Sequence, residues 1–209
     1  SVAVTKDPCG YPIHDGILEL IDRAAEALAD AGYRVVEVET PSIQEPFRDW
    51  FRTLITEMNT ALKPQVDEYG SDDIKTTFEY FFQMGELLDL DGFIQASGDR
   101  TRMLRDWNLF LVEHPLVITP FYMNRLYDWD YDLQSFDACK DFLEASAYSM
   151  GINYLGLPAG VIAMDLVEDR PAAVQIVGQR YREDTICDAL EVIQEHCGRL
   201  TDQLWAREE

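Results

Sequence analysis

The 209 residues carry 39 Asp plus Glu against 17 Lys plus Arg, a net charge of -22, with 47% hydrophobic and 27% charged residues. That apolar share is enough to bury a core and excludes wholesale disorder, while the charge repels phosphate backbones and anionic lipid, excluding nucleic acid and membrane surfaces as partners. The length fits one compact unit or two small ones, with one core the simpler expectation, and the acidity reads as a solvated surface before it reads as a site for a cationic substrate.

Residues 1–5 form an apolar run that predicts a short buried strand, followed by turn chemistry at Asp7, Pro8, Gly10, Tyr11 and Pro12. Ile17, Leu20, Ile21, Ala24 and Leu28 recur at helical spacing, with Asp15 as the expected cap and Gly32 as the left-handed terminator. Residues 33–38 predict a second strand, so the opening reads as a strand, helix, strand crossover packed on a sheet. Over 45–62, Phe47, Trp50, Phe51, Leu54, Ile55 and Met58 fall on one helical stripe that Pro64 should end. Residues 72–90 read as helical with a core-facing Phe78, Phe81 and Phe82, and a further helix is expected over 99–112. The run 116–119, bounded by Pro115 and Pro120, predicts a short central strand.

A polar and aromatic stretch follows, then a helix over 136–150 and two strands at 157–164 and 172–177. The turn residues Glu168, Asp169, Arg170 and Pro171 separate these strands, so they should pair. The last expected helix has Asp184 as its cap, Ile186, Ala189, Leu190, Ile193 and Cys197 on one face, and Gly198 at its end. Strands this apolar, mixed with helices, predict an α/β or α+β layer structure.

Cys9, Cys139, Cys187 and Cys197 form no CxxC pair, which fits reduced thiols and a cytoplasmic setting. No stretch approaches the ~20 apolar residues of a membrane span, and no charged-then-apolar leader opens the chain. The first residue is Ser1 rather than Met, which leaves room for residues upstream. His14, His114 and His196 lack zinc-ligand spacing, and Cys197 beside His196 lies on the apolar stripe, as a structural thiol would. Asp128, Asp130 and Asp132 alternate like the start of a calcium loop, but Leu133 stands where Gly is needed and Cys139 where Glu is needed.

Two blocks carry a family likeness: Asn-Tyr-Leu-Gly-Leu-Pro-Ala-Gly-Val from Asn153, and Pro-Ala-Ala-Val-Gln-Ile-Val-Gly-Gln-Arg-Tyr-Arg-Glu-Asp from Pro171. In order and spacing they resemble the closing portion of amidase-signature enzymes. The opening, Val2 to Asp7 and Ala31 to Pro41, resembles the strand, helix and strand that follow the catalytic core of that family. The chain departs from the family at Ala163, where a Pro is usual, and at Asp165 and Ala173, where Gly is usual.

The resemblance implies an α/β fold, a mixed sheet covered by helices, in which residues 1–209 are the carboxy-terminal portion of an amidase-like domain and not a domain by themselves. It implies hydrolysis of a carboxamide C–N bond by a nucleophilic Ser, a second Ser and a Lys, all upstream, with no cofactor. Within the chain no two serines are adjacent, and none of Lys6, Lys63, Lys75 and Lys140 precedes a Gly-Ser run. No catalytic residue and no metal ligand is therefore expected here. Phe121, Tyr122, Tyr127, Trp129 and Tyr131 either anchor a long loop to the core or form an aromatic wall over a substrate. The resemblance sets this stretch near the acyl pocket, which implies Phe121, Tyr122, Trp129 and Tyr131 as substrate contacts. The expected partners are the amino-terminal catalytic portion or a second copy, with a small-molecule amide as substrate. The rival expectations are a non-catalytic binding module on the same scaffold and an amidotransferase subunit, which the -22 charge suits poorly.

Overall fold

Among the described residues, the five strands β1 (Val2–Val4), β2 (Val35–Glu37), β3 (Leu116–Pro120), β4 (Ala159–Val167) and β5 (Arg170–Gly178) form one mixed sheet in the order β2-β1-β3-β5-β4. The computed structural model describes residues 1–7 and 9–206, so Pro8 of the expected turn lies outside the described residues. β1 (Val2–Val4) and β2 (Val35–Glu37) are parallel, with α1 (Asp15–Asp30) crossing between them as expected. β3 (Leu116–Pro120) lies parallel to β1 on its other side, at the centre of the sheet, and all five of its residues are buried. β4 (Ala159–Val167) and β5 (Arg170–Gly178) pair antiparallel, as expected of neighbours, and β5 pairs antiparallel with β3. The result is the α/β arrangement that the apolar strands predict.

Alternation along the strands sends side chains to two helical layers. Val2, Val4, Leu116, Ile118, Val174 and Ile176 meet α1 and α8 (Glu183–Cys197) through Ile17, Leu20, Ile21, Ile186 and Ile193. Ala3, Val117 and Val177 face a second layer of α2 (Gln44–Ala61), α5 (Leu90–Glu113) and α7 (Ala147–Leu155). Its largest buried side chains satisfy their polar tips: Trp107 Nε1 donates to Ser42 O at 3.2 Å and Tyr148 Oη donates to Asp7 O at 2.9 Å. α3 (Lys63–Tyr69), α4 (Asp72–Met84), α6 (Phe136–Glu144) and α9 (Leu200–Trp205) complete the molecule.

Several boundaries differ from those the sequence predicts, each for a local reason. α1 is capped by His14, whose Nδ1 accepts from Gly16 N at 3.1 Å, and Asp15 stands inside the first turn. Gly32 does adopt the left-handed conformation, at φ +90°. Pro64 does not end the helical stretch but sits in the first turn of α3, where its missing N–H costs nothing. The helix expected over 72–90 stops at Met84, because a Cβ at Gly85 would lie 2.3 Å from Ile55 Cδ1 and the chain must pass that point closely. A new helix then starts at Leu90, capped by Asp89 Oδ1 accepting from Gly92 N at 2.8 Å, so the helix expected over 99–112 is the second half of α5.

The helix expected over 136–150 is two. Ala145 O accepts from Met123 N at 2.7 Å, which takes that carbonyl out of the helical ladder and breaks α6 from α7. Asp184 does not cap α8; it lies in the first turn and is held by Arg182, at 2.9 Å, while the N-cap residue Arg182 makes no side-chain cap bond. The Arg182 bond also lowers the Asp184 carboxyl below its ordinary range. α3 and α9 are too short to show a periodicity.

Candidate functional site

The carboxyl ends of β1 and β3 open onto three segments: residues 5–14, residues 121–135, and the β4–β5 hairpin tip at Glu168 and Asp169. In open α/β sheets ligands bind outside these strand ends. Charge pairs and one main-chain bond hold the segments together. Met123 O accepts from His14 N at 2.8 Å, and Glu168 receives His14 Nε2 at 3.3 Å and Arg125 Nε at 2.8 Å. Arg170 pairs with Asp128, the first of the alternating aspartates. Glu168 and Asp169 both have positive φ, 48° and 61°, the backbone of a tight two-residue hairpin turn.

The aromatic residues of 121–131 do not act as one group. Tyr127 and Tyr131 stack with centroids 4.1 Å apart and planes 2° from parallel, and Tyr122 meets Tyr127 edge-on at 6.2 Å. Phe142 of α6 closes this cluster, and Tyr122 Oη donates to Phe142 O at 2.9 Å. Burial pushes the Tyr122 phenol far up, with the neighbouring Tyr127 next in effect, so it stays a neutral donor. Phe121 is at the margin of exposure, and Trp129 is 92% exposed. A small recess of about 120 Å³ lies between Tyr11, Asn124, Tyr127, Asp141 and Glu144. A larger cleft of about 500 Å³ runs beside it, with Tyr11, Phe47, Phe51, Met84, Phe136 and Leu143 as its apolar walls.

Beneath the loops runs a row of buried polar side chains that sequence reading passes over. Thr119 pairs across the ladder with Gln175, and Gln175 Nε2 donates to Thr119 Oγ1 at 3.1 Å. Thr5, at the end of β1, is buried on the same sheet face. Gln175 stands inside a motif noted above, yet its burial shows only once β5 is seated between two other strands.

Among the described residues, none of the more reactive side chains forms a nucleophile and base pair. Burial pushes the Cys9 thiol up to about 12 and the Cys139 thiol to about 11, so both are inert near neutrality. Lys6, Lys63 and Lys140 each contact a carboxylate, those of Asp22 at 2.5 Å, Asp67 at 2.6 Å and Glu144 at 3.3 Å. His114 packs on Phe110, centroids 4.9 Å apart. Among the described residues no group of three His, Cys, Asp or Glu could hold a metal ion, and no helix is long and apolar enough to cross a membrane.

This arrangement of strands, hairpin and loops has known counterparts, and the Amidase family model matches residues 1–187. The chain belongs to the amidase family. Among its relatives, the indoleacetamide hydrolase of Bradyrhizobium diazoefficiens is 30% identical over 205 residues, covering 98% of this chain and 39% of that protein. One component of a glutamyl-tRNA(Gln) amidotransferase from Nitratiruptor is 22% identical, over 82% of this chain and 43% of its own length. The solved 6-aminohexanoate cyclic dimer hydrolase shares the fold with a TM-score of 0.76 at 16% identity, covering 94% of this chain and 45% of that structure. This amidase chain thus spans less than half the length of the relatives it matches.

Proposed function

We propose that this chain is the carboxy-terminal portion of an amidase that hydrolyses a carboxamide C–N bond through a Ser-Ser-Lys triad outside residues 1–209. The observation that carries the reading is a family match over residues 1–187 in a chain holding no adjacent serines and no lysine before a Gly-Ser run. In the reaction the family implies, a Ser hydroxyl attacks the amide carbon and passes its proton through the second Ser to the Lys. The C–N bond then breaks, the amine leaves with that proton, and water opens the acyl-serine ester to a carboxylate. The contribution of this chain is the scaffold and one pocket wall, with Phe121, Tyr122, Trp129 and Tyr131 proposed as that wall. The name of the Bradyrhizobium relative supports an aryl amide as substrate.

The amidotransferase relative supports a second reading, one component of an enzyme working on aminoacyl-tRNA, but a -22 surface would need a basic partner to approach RNA. The test begins with the in-frame coding sequence upstream of Ser1. A Lys followed by a Gly- and Ser-rich run with two serines is expected there. Indoleacetamide hydrolysis by the complete chain should then vanish when the nucleophilic Ser becomes Ala. Absence of that run together with absence of hydrolysis would instead favour a non-catalytic binding module.

A further inference from the structure

We infer that a groove between α2, α5 and the end of α7 binds an aromatic monocarboxylate, the kind of acid that hydrolysis of an aryl amide releases. The choice of acid rests on the hydrolysis proposed above, whereas the site rests on its own geometry. The groove holds about 370 Å³, near the low end of the ~300–1,000 Å³ of small-molecule sites. Trp50, Leu54, Phe93 and Tyr154 supply its apolar walls, and Glu57 and Arg100 are the charged residues of its lining. The three rings are each half-buried, so each keeps part of its surface for a ligand.

Two arginines converge at this place. Gly156 ends α7 in the left-handed conformation, at φ +69°, and a Cβ built there would lie 3.3 Å from Arg100 Nη2 and 3.6 Å from Arg180 Nη2. Both nitrogens thus approach one point, from α5 and from the turn before α8, close enough for a single carboxylate to accept a hydrogen bond from each. Arg100 is fixed in place: its Nε donates to Tyr154 O, and its guanidinium carbon lies 5.5 Å from the centroid of the Tyr154 ring. Among the described residues neither Arg100 nor Arg180 pairs with a carboxylate, whereas Arg102 contacts Glu45 at 2.7 Å and Arg182 contacts Asp184 at 2.9 Å. In a chain with 39 Asp plus Glu, two converging arginines that meet no carboxylate of their own offer their charge to an anion from outside.

Arg180 follows Gly178, which pairs with Leu116, the first residue of β3, so the arginines stand at the end of the sheet opposite loops 5–14 and 121–135. Size and charge choose the ligand. A ring suits the aromatic walls, one carboxylate suits the two arginines, and Glu57 disfavours a second carboxylate. The parent amide has the same ring but is neutral, so the arginines separate acid from amide. The net charge of -22 does not prevent binding, because salt screens it beyond ~8 Å while the arginines act in contact.

The test titrates residues 1–209 calorimetrically with indoleacetate, indoleacetamide, acetate and inorganic phosphate. Indoleacetate should bind about tenfold or more tightly than each of the other three. Arg180 is exposed and makes no hydrogen bond among the described residues, so Arg180→Gln should keep the circular dichroism while weakening indoleacetate about tenfold. Arg100→Gln should weaken it at least as much, and Arg105→Gln, an exposed arginine elsewhere on α5, should leave it unchanged. Equal affinity for the acid and its amide would overturn the site. So would acetate or phosphate binding as tightly as indoleacetate, no measurable indoleacetate binding, or binding that survives Arg180→Gln. A complete enzyme that hydrolyses indoleacetamide but binds no indoleacetate through Arg180 would overturn the site and leave the amidase reading standing. Arg180-dependent binding in a complete enzyme without hydrolysis would uphold the site and count against that reading.

Discussion

Single residues set both the tightest packing and the chemistry available to this chain. A methyl group on Gly160 would press on Leu190 and also on Ile186, which is nearly fully buried, at 2.8 Å. Gly160→Ala should therefore cost about 1–3 kcal/mol in urea unfolding, while Gly98→Ala, in open space inside α5, should stabilise by about 1 kcal/mol. Equal effects at the two sites would contradict this packing. The buried thiols predict a pH dependence with a definite sign. Cys9 and Cys139 ordinarily ionise near 9.0 but are held up to about 12 and about 11 by burial. Between those values the unfolded chain releases protons that the folded chain keeps, so their stabilising effect is complete below pH 9 and is lost as pH rises beyond it. The urea midpoint should fall between pH 8 and pH 10.5, and fall less in a Cys9→Ala, Cys139→Ala variant; a flat profile would count against it. At the proposed pocket wall, Phe121→Ala or Trp129→Ala in the complete enzyme should lower kcat/KM for an aryl amide by about tenfold and leave acetamide nearly unaffected. An equal loss on both amides would reduce these rings to loop anchors.

Elements show where local signals suffice and where tertiary contacts decide. Asp89→Ala should cost about 1 kcal/mol by removing the cap of α5, whereas Asp99→Ala, a residue inside that helix, should cost less by thermal unfolding. The reverse order would place the start of the helix where its periodicity first suggests. Strands β1, β3, β4 and β5, and the helical stripes of α1, α2 and α8, are legible because their apolar spacing is set by burial against the sheet. The breaks are not legible, since they arise from remote contacts: Ile55 crowding Gly85, and Met123 bonding Ala145 O. The aromatic loop at 121–131 stands out in the sequence, but its division into the Tyr122, Tyr127 and Tyr131 cluster and an outward Trp129 depends on Phe142 from another helix. The Thr119 and Gln175 pair likewise needs two strands in register.

For the whole molecule, a charge of -22 and exposed apolar surface pull in opposite directions. Salt screens the charge and leaves the apolar surface unchanged. Sedimentation of the lone chain should accordingly reveal more association at high salt than at low; the opposite trend would mean that contacts between charges, and not exposed apolar surface, hold copies together. The central claim is that residues 1–209 are scaffold and pocket wall without the hydrolytic groups. Its most direct test incubates the purified chain with indoleacetamide and a serine-directed fluorophosphonate. Neither hydrolysis nor covalent labelling is predicted; turnover by these residues alone, abolished by the reagent, would contradict it.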